Sequence, residues 1–81
     1  VVDDVAFGRI DVRLAERLLV LAGGDREIAA THQEIASELG TAREVISRVL
    51  HDFQKRGLIV QSRGRITLSA KPALRAIAES D

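Results

Sequence analysis

The chain contains two Thr-x-x-Glu tetrads, Thr31-His32-Gln33-Glu34 and Thr41-Ala42-Arg43-Glu44, with Leu39-Gly40 between them. In each, the threonine suits a helix N-cap, and the glutamate three residues on reaches back to the threonine amide. The first tetrad predicts a helix through Ile35, Ala36 and Leu39 that stops at Gly40, a residue suited to a left-handed cap. The second predicts a longer helix from Thr41 to about Arg56, ended by Gly57. Two helices that meet at one Gly-Thr step form a helix-turn-helix.

The flanking segments extend this unit. Ile10, Leu14, Leu18 and Leu21 recur at helical spacing as far as Ala22, and Gly23-Gly24 stops that helix. Residues 1–8, with Asp3-Asp4, carry no clear period and read as a solvated lead-in. Glu27 to Ala30 suits a short strand. Leu58-Ile59-Val60 and Ile66-Thr67-Leu68 flank Ser62-Arg63-Gly64-Arg65, a β-hairpin with a glycine turn and basic residues at its tip. Pro72 sits in the first turn of a last helix, with Leu74, Ile77 and Ala78 on one side. The predicted fold class is mainly α with a small β-hairpin, a winged helix-turn-helix. Residues 1–81 are expected to form a single domain, with the helix-turn-helix at about 31–56 and the wing at about 58–69.

Length supports one core, because two cores in 81 residues would each be too small to offset the entropy of ordering the chain. With two Phe and no Trp, Tyr or Met, that core falls to Leu, Ile, Val and Ala. The absence of cysteine excludes disulfides and thiolate metal sites and fits a reducing cytoplasm. Leu18 to Ala22 is the longest apolar run, far short of a membrane span, and no signal peptide is evident. The chain starts at Val1 rather than Met and is expected to be a piece of a longer protein.

The formal net charge is zero, but it is unevenly distributed. Residues 1–40 hold four arginines against eight carboxylates, net −4; residues 41–65 hold six basic residues against Glu44 and Asp52, net +4. Local sign sets attraction to phosphate, so the basic half suits nucleic acid, although small domains also segregate charge by chance.

On a wheel centred at Ile46, Val49, Leu50 and Phe53 fall within about 60°, and Glu44, Arg48, His51 and Lys55 within about 40° of the opposite pole. Ser47 lies on the shoulder. Arg43 is nearer the core side, but a long side chain in the first turn can swing outward. Arginine donates two parallel hydrogen bonds to guanine, and glutamate accepts from cytosine. Arg43, Glu44, Ser47 and Arg48 are therefore the candidate base readers. The plainer reading makes Glu44 a capping residue and Arg48 its i, i+4 ion-pair partner on a solvated face. The basic hairpin that follows the second helix favours base reading.

No nucleophile–base pair, phosphate-binding glycine loop or metal spacing is evident, so neither catalysis nor a metal site is expected. His32 and His51 read as surface histidines, with His51 available to a phosphate.

Thr31 through Leu68 resembles the C-terminal domain of the Crp/Fnr family of bacterial transcription regulators. Gln33-Glu34-Ile35-Ala36, Leu39-Gly40-Thr41, Arg43-Glu44-Val45-Ile46-Ser47-Arg48-Val49-Leu50 and Lys55-Arg56-Gly57-Leu58-Ile59 carry the resemblance. Val5-Ala6-Phe7 and Arg13-Leu14-Ala15-Glu16-Arg17-Leu18-Leu19 look like the segment that enters that domain. The resemblance implies an N-terminal effector domain and a dimerisation helix outside this segment, with no cofactor in this domain and an effector the sequence does not identify. It also implies a homodimer on inverted-repeat double-stranded DNA whose half-sites share a GA core. Arg48 would take the guanine and Glu44 the cytosine of the next step. Arg43 matches an arginine of the cyclic-AMP receptor branch, and Ser47 a base-contacting serine of the Fnr branch. Thr31, Gln33, Thr41, His51, Lys55, Arg63 and Arg65 would hold phosphates, which positions the protein without specifying sequence. Ala42 and Val45 stand where many members place Ser and Thr, so two hydroxyl contacts are absent. Ala22 to Ala30 occupies the place where activators of the family can touch RNA polymerase. The alternative from a different class is a winged helix used for protein–protein contact, which would ordinarily show apolar anchors on the exposed face of the second helix.

Overall fold

The computed structural model describes residues 2–79, with side chains from Ile10 onward. The expectations for the side chains of Asp3, Asp4 and the Val5-Ala6-Phe7 segment lie outside the described residues. The elements run α1 (Val2–Ala22), β1 (Glu27–Ile28), α2 (His32–Leu39), α3 (Arg43–Lys55), β2 (Ile59–Ser62), β3 (Arg65–Leu68) and α4 (Lys71–Ala78). This is the expected winged helix-turn-helix, and the short strand expected at Glu27 to Ala30 forms over Glu27–Ile28 only. The hairpin of β2 and β3 gains β1, giving an antiparallel sheet in the order β1-β3-β2. Ile28 lies opposite Ile66, and Ile59 opposite Leu68.

Residues expected as a lead-in belong to α1, which starts at Val2. Extending a helix that is already nucleated costs little per residue. Val2, Val5 and Ala6 do carry the i, i+3, i+4 spacing, but Gly8 interrupts it before Ile10. The buried stripe of α1 also differs from expectation. Ile10, Leu14 and Leu18 are buried as expected, but Ala15 and Ala22 join them and Leu21 is exposed. The stripe is rotated toward the two alanines, whose small side chains let neighbouring elements approach closely.

The start of α2 matches its sequence. Thr31 Oγ1 accepts from the Glu34 amide at 3.1 Å, and Glu34 Oε1 accepts from the Thr31 amide at 2.8 Å. The end of α2 is closed by Gly40 at φ 70° and ψ 36°. There the Gly40 amide bonds to the Ser37 carbonyl at 3.3 Å and the Thr41 amide to the Ala36 carbonyl at 3.0 Å. This left-handed closure corrects the expectation for Thr41. Its amide is committed to α2, so Ala42 becomes the N-cap of α3, with no side-chain cap. The second capping box does not form, and the helix begins at Arg43.

One apolar cluster joins every layer. It contains Leu14 and Leu18 of α1, Ile35 and Leu39 of α2, Ile46, Leu50 and Phe53 of α3, Ile59, Ile66 and Leu68 of the sheet, and Leu74 of α4. Leu58, expected in a strand, precedes β2 as a buried residue whose carbonyl accepts from the Ser69 and Ala70 amides. Two polar contacts lock α1 to the end of α2. Arg13 Nη2 donates to the Leu39 carbonyl at 2.9 Å, and Arg17 pairs with Glu38 at 3.5 Å. Among the described residues no helix is long and apolar enough to cross a membrane.

The two threonines should behave differently in denaturant unfolding. Thr31→Ala should cost about 1 kcal/mol, the usual loss for an N-cap hydroxyl, and Thr41→Ala clearly less. Equal losses would show that Thr41 caps α3 after all. Phe53→Ala, which empties a fully buried site, should cost about 3–5 kcal/mol.

Candidate nucleic-acid interface

The apolar stripe of α3 decides which of its side chains face outward. Ile46, Leu50 and Phe53 are fully buried, which turns Glu44, Arg48, His51 and Lys55 to solvent. Arg43 is exposed as well, so its first-turn position does carry it away from the core. Among the described residues, the side chains of Arg43, Glu44, Arg48, His51, Lys55 and Arg63 have no hydrogen-bond or ion-pair partner. Neither half of the plainer reading is therefore seen. Glu44 does not cap α3, and Arg48 does not pair with Glu44. Unpaired charges near the start of a helix that follows a tight turn remain available to another molecule.

The remaining candidates are placed around α3. Thr31 caps α2 with an oxygen lone pair, which leaves its O–H able to donate. Gln33 lies in the first turn of α2 and donates to Ser37 Oγ at 3.3 Å. Thr41 is half-buried in the turn between the helices. Arg63 and Gly64 form the two-residue turn of the hairpin, between paired Ser62 and Arg65, with Gly64 at φ 70°. Arg65 is partly engaged, since its Nη1 lies 3.3 Å from Glu27 Oε1 on β1. Both side chains are more than half exposed, so this pair contributes little to stability.

One expectation fails at His32: it is half-buried and hydrogen-bonded rather than a free surface histidine. His32 Nδ1 lies 2.7 Å from Ser47 Oγ, and His32 Nε2 lies 2.6 Å from Gln61 Oε1. All three residues are half-buried. Gln61 shares the inward side of β2 with Ile59, and its amide, on the edge strand of the sheet, donates to Gln54 Oε1 of α3 at 3.1 Å. Three elements are thus tied together beside the exposed face of α3: the start of α2, the middle of α3 and the strand leading to the wing. Sequence separations of 15 and 29 residues hid this cluster, and only its polar side chains in half-buried positions could have signalled it. A cavity of about 570 Å³ lined by residues such as Arg13, Arg17, Leu39 and Arg75 does not border the pair. Among the described residues no group of His, Cys, Asp and Glu is arranged to hold a metal ion.

A double-mutant cycle on His32→Ala and Ser47→Ala should give a coupling of about 0.5–1.5 kcal/mol, the net worth of one hydrogen bond. Strictly additive losses would show that the imidazole and the hydroxyl do not interact.

The sequence and fold of this chain have close counterparts among known proteins. Residues 12–77 match the Crp-like helix-turn-helix domain. The chain is 30% identical to the transcriptional regulator SdrP of Thermus thermophilus, covering 98% of this chain and 43% of that protein. It is similar to the structure of a transcriptional regulator of the Crp/Fnr family from Eubacterium rectale, with 37% identity and a TM-score of 0.85 over 95% of this chain and 37% of that one. The catabolite activator protein of Thermus thermophilus follows, with 30% identity and a TM-score of 0.84 over 98% of this chain and 38% of that one. The chain therefore spans less than half the length of each of these relatives. Its element order, helix-turn-helix and wing place it among them: the chain belongs to the Crp-like helix-turn-helix domains, the DNA-binding type of the Crp/Fnr transcription regulators.

Proposed function

We propose that this chain reads double-stranded DNA in a sequence-specific manner, with α3 in the major groove. The observation that carries this reading is the unpaired, exposed state of Glu44 and Arg48 on the second helix of the helix-turn-helix. A major groove about 12 Å wide admits an α-helix. Arg48 reads a guanine and Glu44 the cytosine of the neighbouring step, which matches a half-site with a GA core. Arg43 and Ser47 read the flanking bases.

Phosphates fall to Thr31, Gln33, Thr41, His51, Lys55, Arg63 and Arg65. The amides at the start of α3 offer a further donor set, since Ala42 has no side chain to cap them. This compensates in part for the absent hydroxyls at positions 42 and 45. Residues 1–81 act as one output domain of a homodimeric regulator on an inverted repeat, and the effector binds to another domain. Contact with RNA polymerase through residues 22–30 belongs to the same proposal.

Binding-site selection from random DNA, using two covalently joined copies of the chain, tests it. Joining is needed because single half-sites bind weakly, whereas linkage raises the effective concentration of the second copy. Glu44→Ala and Arg48→Ala should each relax specificity at particular base pairs, at a cost of about 1–3 kcal/mol. Arg63→Ala should weaken all sequences alike and reduce the salt slope by about 1. If the Glu44 and Arg48 variants keep the parent site preference, the base assignment is wrong. If the joined chain shows no salt-sensitive binding, protein–protein contact becomes the better reading.

A further inference from the structure

We propose that His32, held by Gln61, is a positioning residue that makes Ser47 an acceptor-only reader. The domain then prefers an amino base (adenine or cytosine) to a keto base (guanine or thymine) where Ser47 meets the groove. This rests on the DNA-reading role proposed above and deepens it at one position.

The direction of the hydrogen bonds carries the argument. The Gln61 side-chain oxygen faces His32 Nε2 at 2.6 Å, and a carbonyl oxygen only accepts. With the ring neutral and that oxygen facing it, Nε2 carries the imidazole proton. In that tautomer Nδ1 holds a lone pair, so at 2.7 Å it accepts from the Ser47 hydroxyl. Serine has a single O–H hydrogen, and His32 consumes it. What remains at Ser47 is oxygen lone pairs.

A free serine hydroxyl rotates to donate or accept, and so discriminates poorly between base edges. A hydroxyl locked as an acceptor discriminates by chemistry. In the major groove adenine N6 and cytosine N4 donate, whereas guanine O6 and thymine O4 accept and would meet the Ser47 lone pairs unpaired. The strand that carries Gln61 is itself tied to α3, because the Gln61 backbone N–H donates to Gln54 Oε1 at 3.1 Å. The relay moves with the reading helix.

Site selection with two covalently joined copies tests the proposal. The parent chain should favour adenine or cytosine by about tenfold at one position, the scale of one net hydrogen bond. Ser47→Ala should abolish that preference and so identify the position. In Gln61→Lys the ammonium only donates, which forces Nε2 to accept and moves the proton to Nδ1. Nδ1 then donates to Ser47 and frees its hydroxyl, so the amino preference should fall toward unity or reverse. His32→Ala should relax it likewise, while preferences set by Glu44 and Arg48 persist in both variants. A long-range nitrogen–proton NMR correlation on the parent chain should show His32 protonated at Nε2, a readout independent of any variant's folding. A Gln61→Lys chain that binds DNA with undiminished amino preference overturns the proposal, as does the Nδ1–H tautomer. Binding that keeps the Glu44 and Arg48 preferences but shows none at Ser47 overturns this inference alone. No binding by the parent chain overturns both this inference and the function on which it rests.

Discussion

The left-handed backbone at Gly40 is the constraint on which the exposed face of α3 depends. A residue with a side chain would hold that conformation at a cost of roughly 1–2 kcal/mol, which glycine avoids. With Gly40 at φ 70°, the Ser37 and Ala36 carbonyls find donors in the Gly40 and Thr41 amides. The chain can then leave α2 and enter α3 within three residues. Ile46, Leu50 and Phe53 meet the same core as Ile35 and Leu39. The burial of these side chains, each worth about 1.5–3 kcal/mol, fixes the rotation of α3 about its axis.

That rotation has an electrostatic consequence. Closing α2 with the Thr41 amide removes the threonine from any capping role in α3, and with it the reason for Glu44 to turn back on its own helix. Glu44 and Arg48 stay exposed and unpaired, although at i, i+4 they are spaced to meet. The same fold commits other charges. Arg13 and Arg17 brace α1 against α2, Arg56 pairs with Asp52 at 3.3 Å, and Arg65 shares Glu27. Among the described residues, a neutral chain thereby leaves the side chains of Arg43, Arg48, Lys55 and Arg63 without partners, all within the segment of net charge +4.

The His32 cluster adds order to this surface. One imidazole is hydrogen-bonded to both α3 and the wing strand, so α2, α3 and β2 are held in register by polar contacts above the apolar core. Half-buried polar groups of this kind are costly when unsatisfied. Their mutual satisfaction therefore favours one relative placement of α3 and the wing strand.

Much of this was legible in the residues themselves. The period of α3, the capping box at Thr31, the glycine stop at Gly40 and the basic hairpin turn are local features, and local sterics and hydrogen bonding determine them. The outward direction of Glu44 and Arg48 follows from the same period. Other features depended on partners distant in the chain. Leu21 and Ala22 compete for the same stripe, and packing chose the alanine. Thr31 and Thr41 look alike in sequence, but only the closure of α2 decides which one caps a helix. Ser47, His32 and Gln61 are unremarkable polar residues until folding brings them within hydrogen-bonding distance. The sequence by itself determined which elements form and which charges α3 presents, because periodicity and caps act over a few residues. Tertiary structure alone decided which polar groups are spent on one another and which remain unpaired, because hydrogen bonds between distant residues exist only once the core has brought them together.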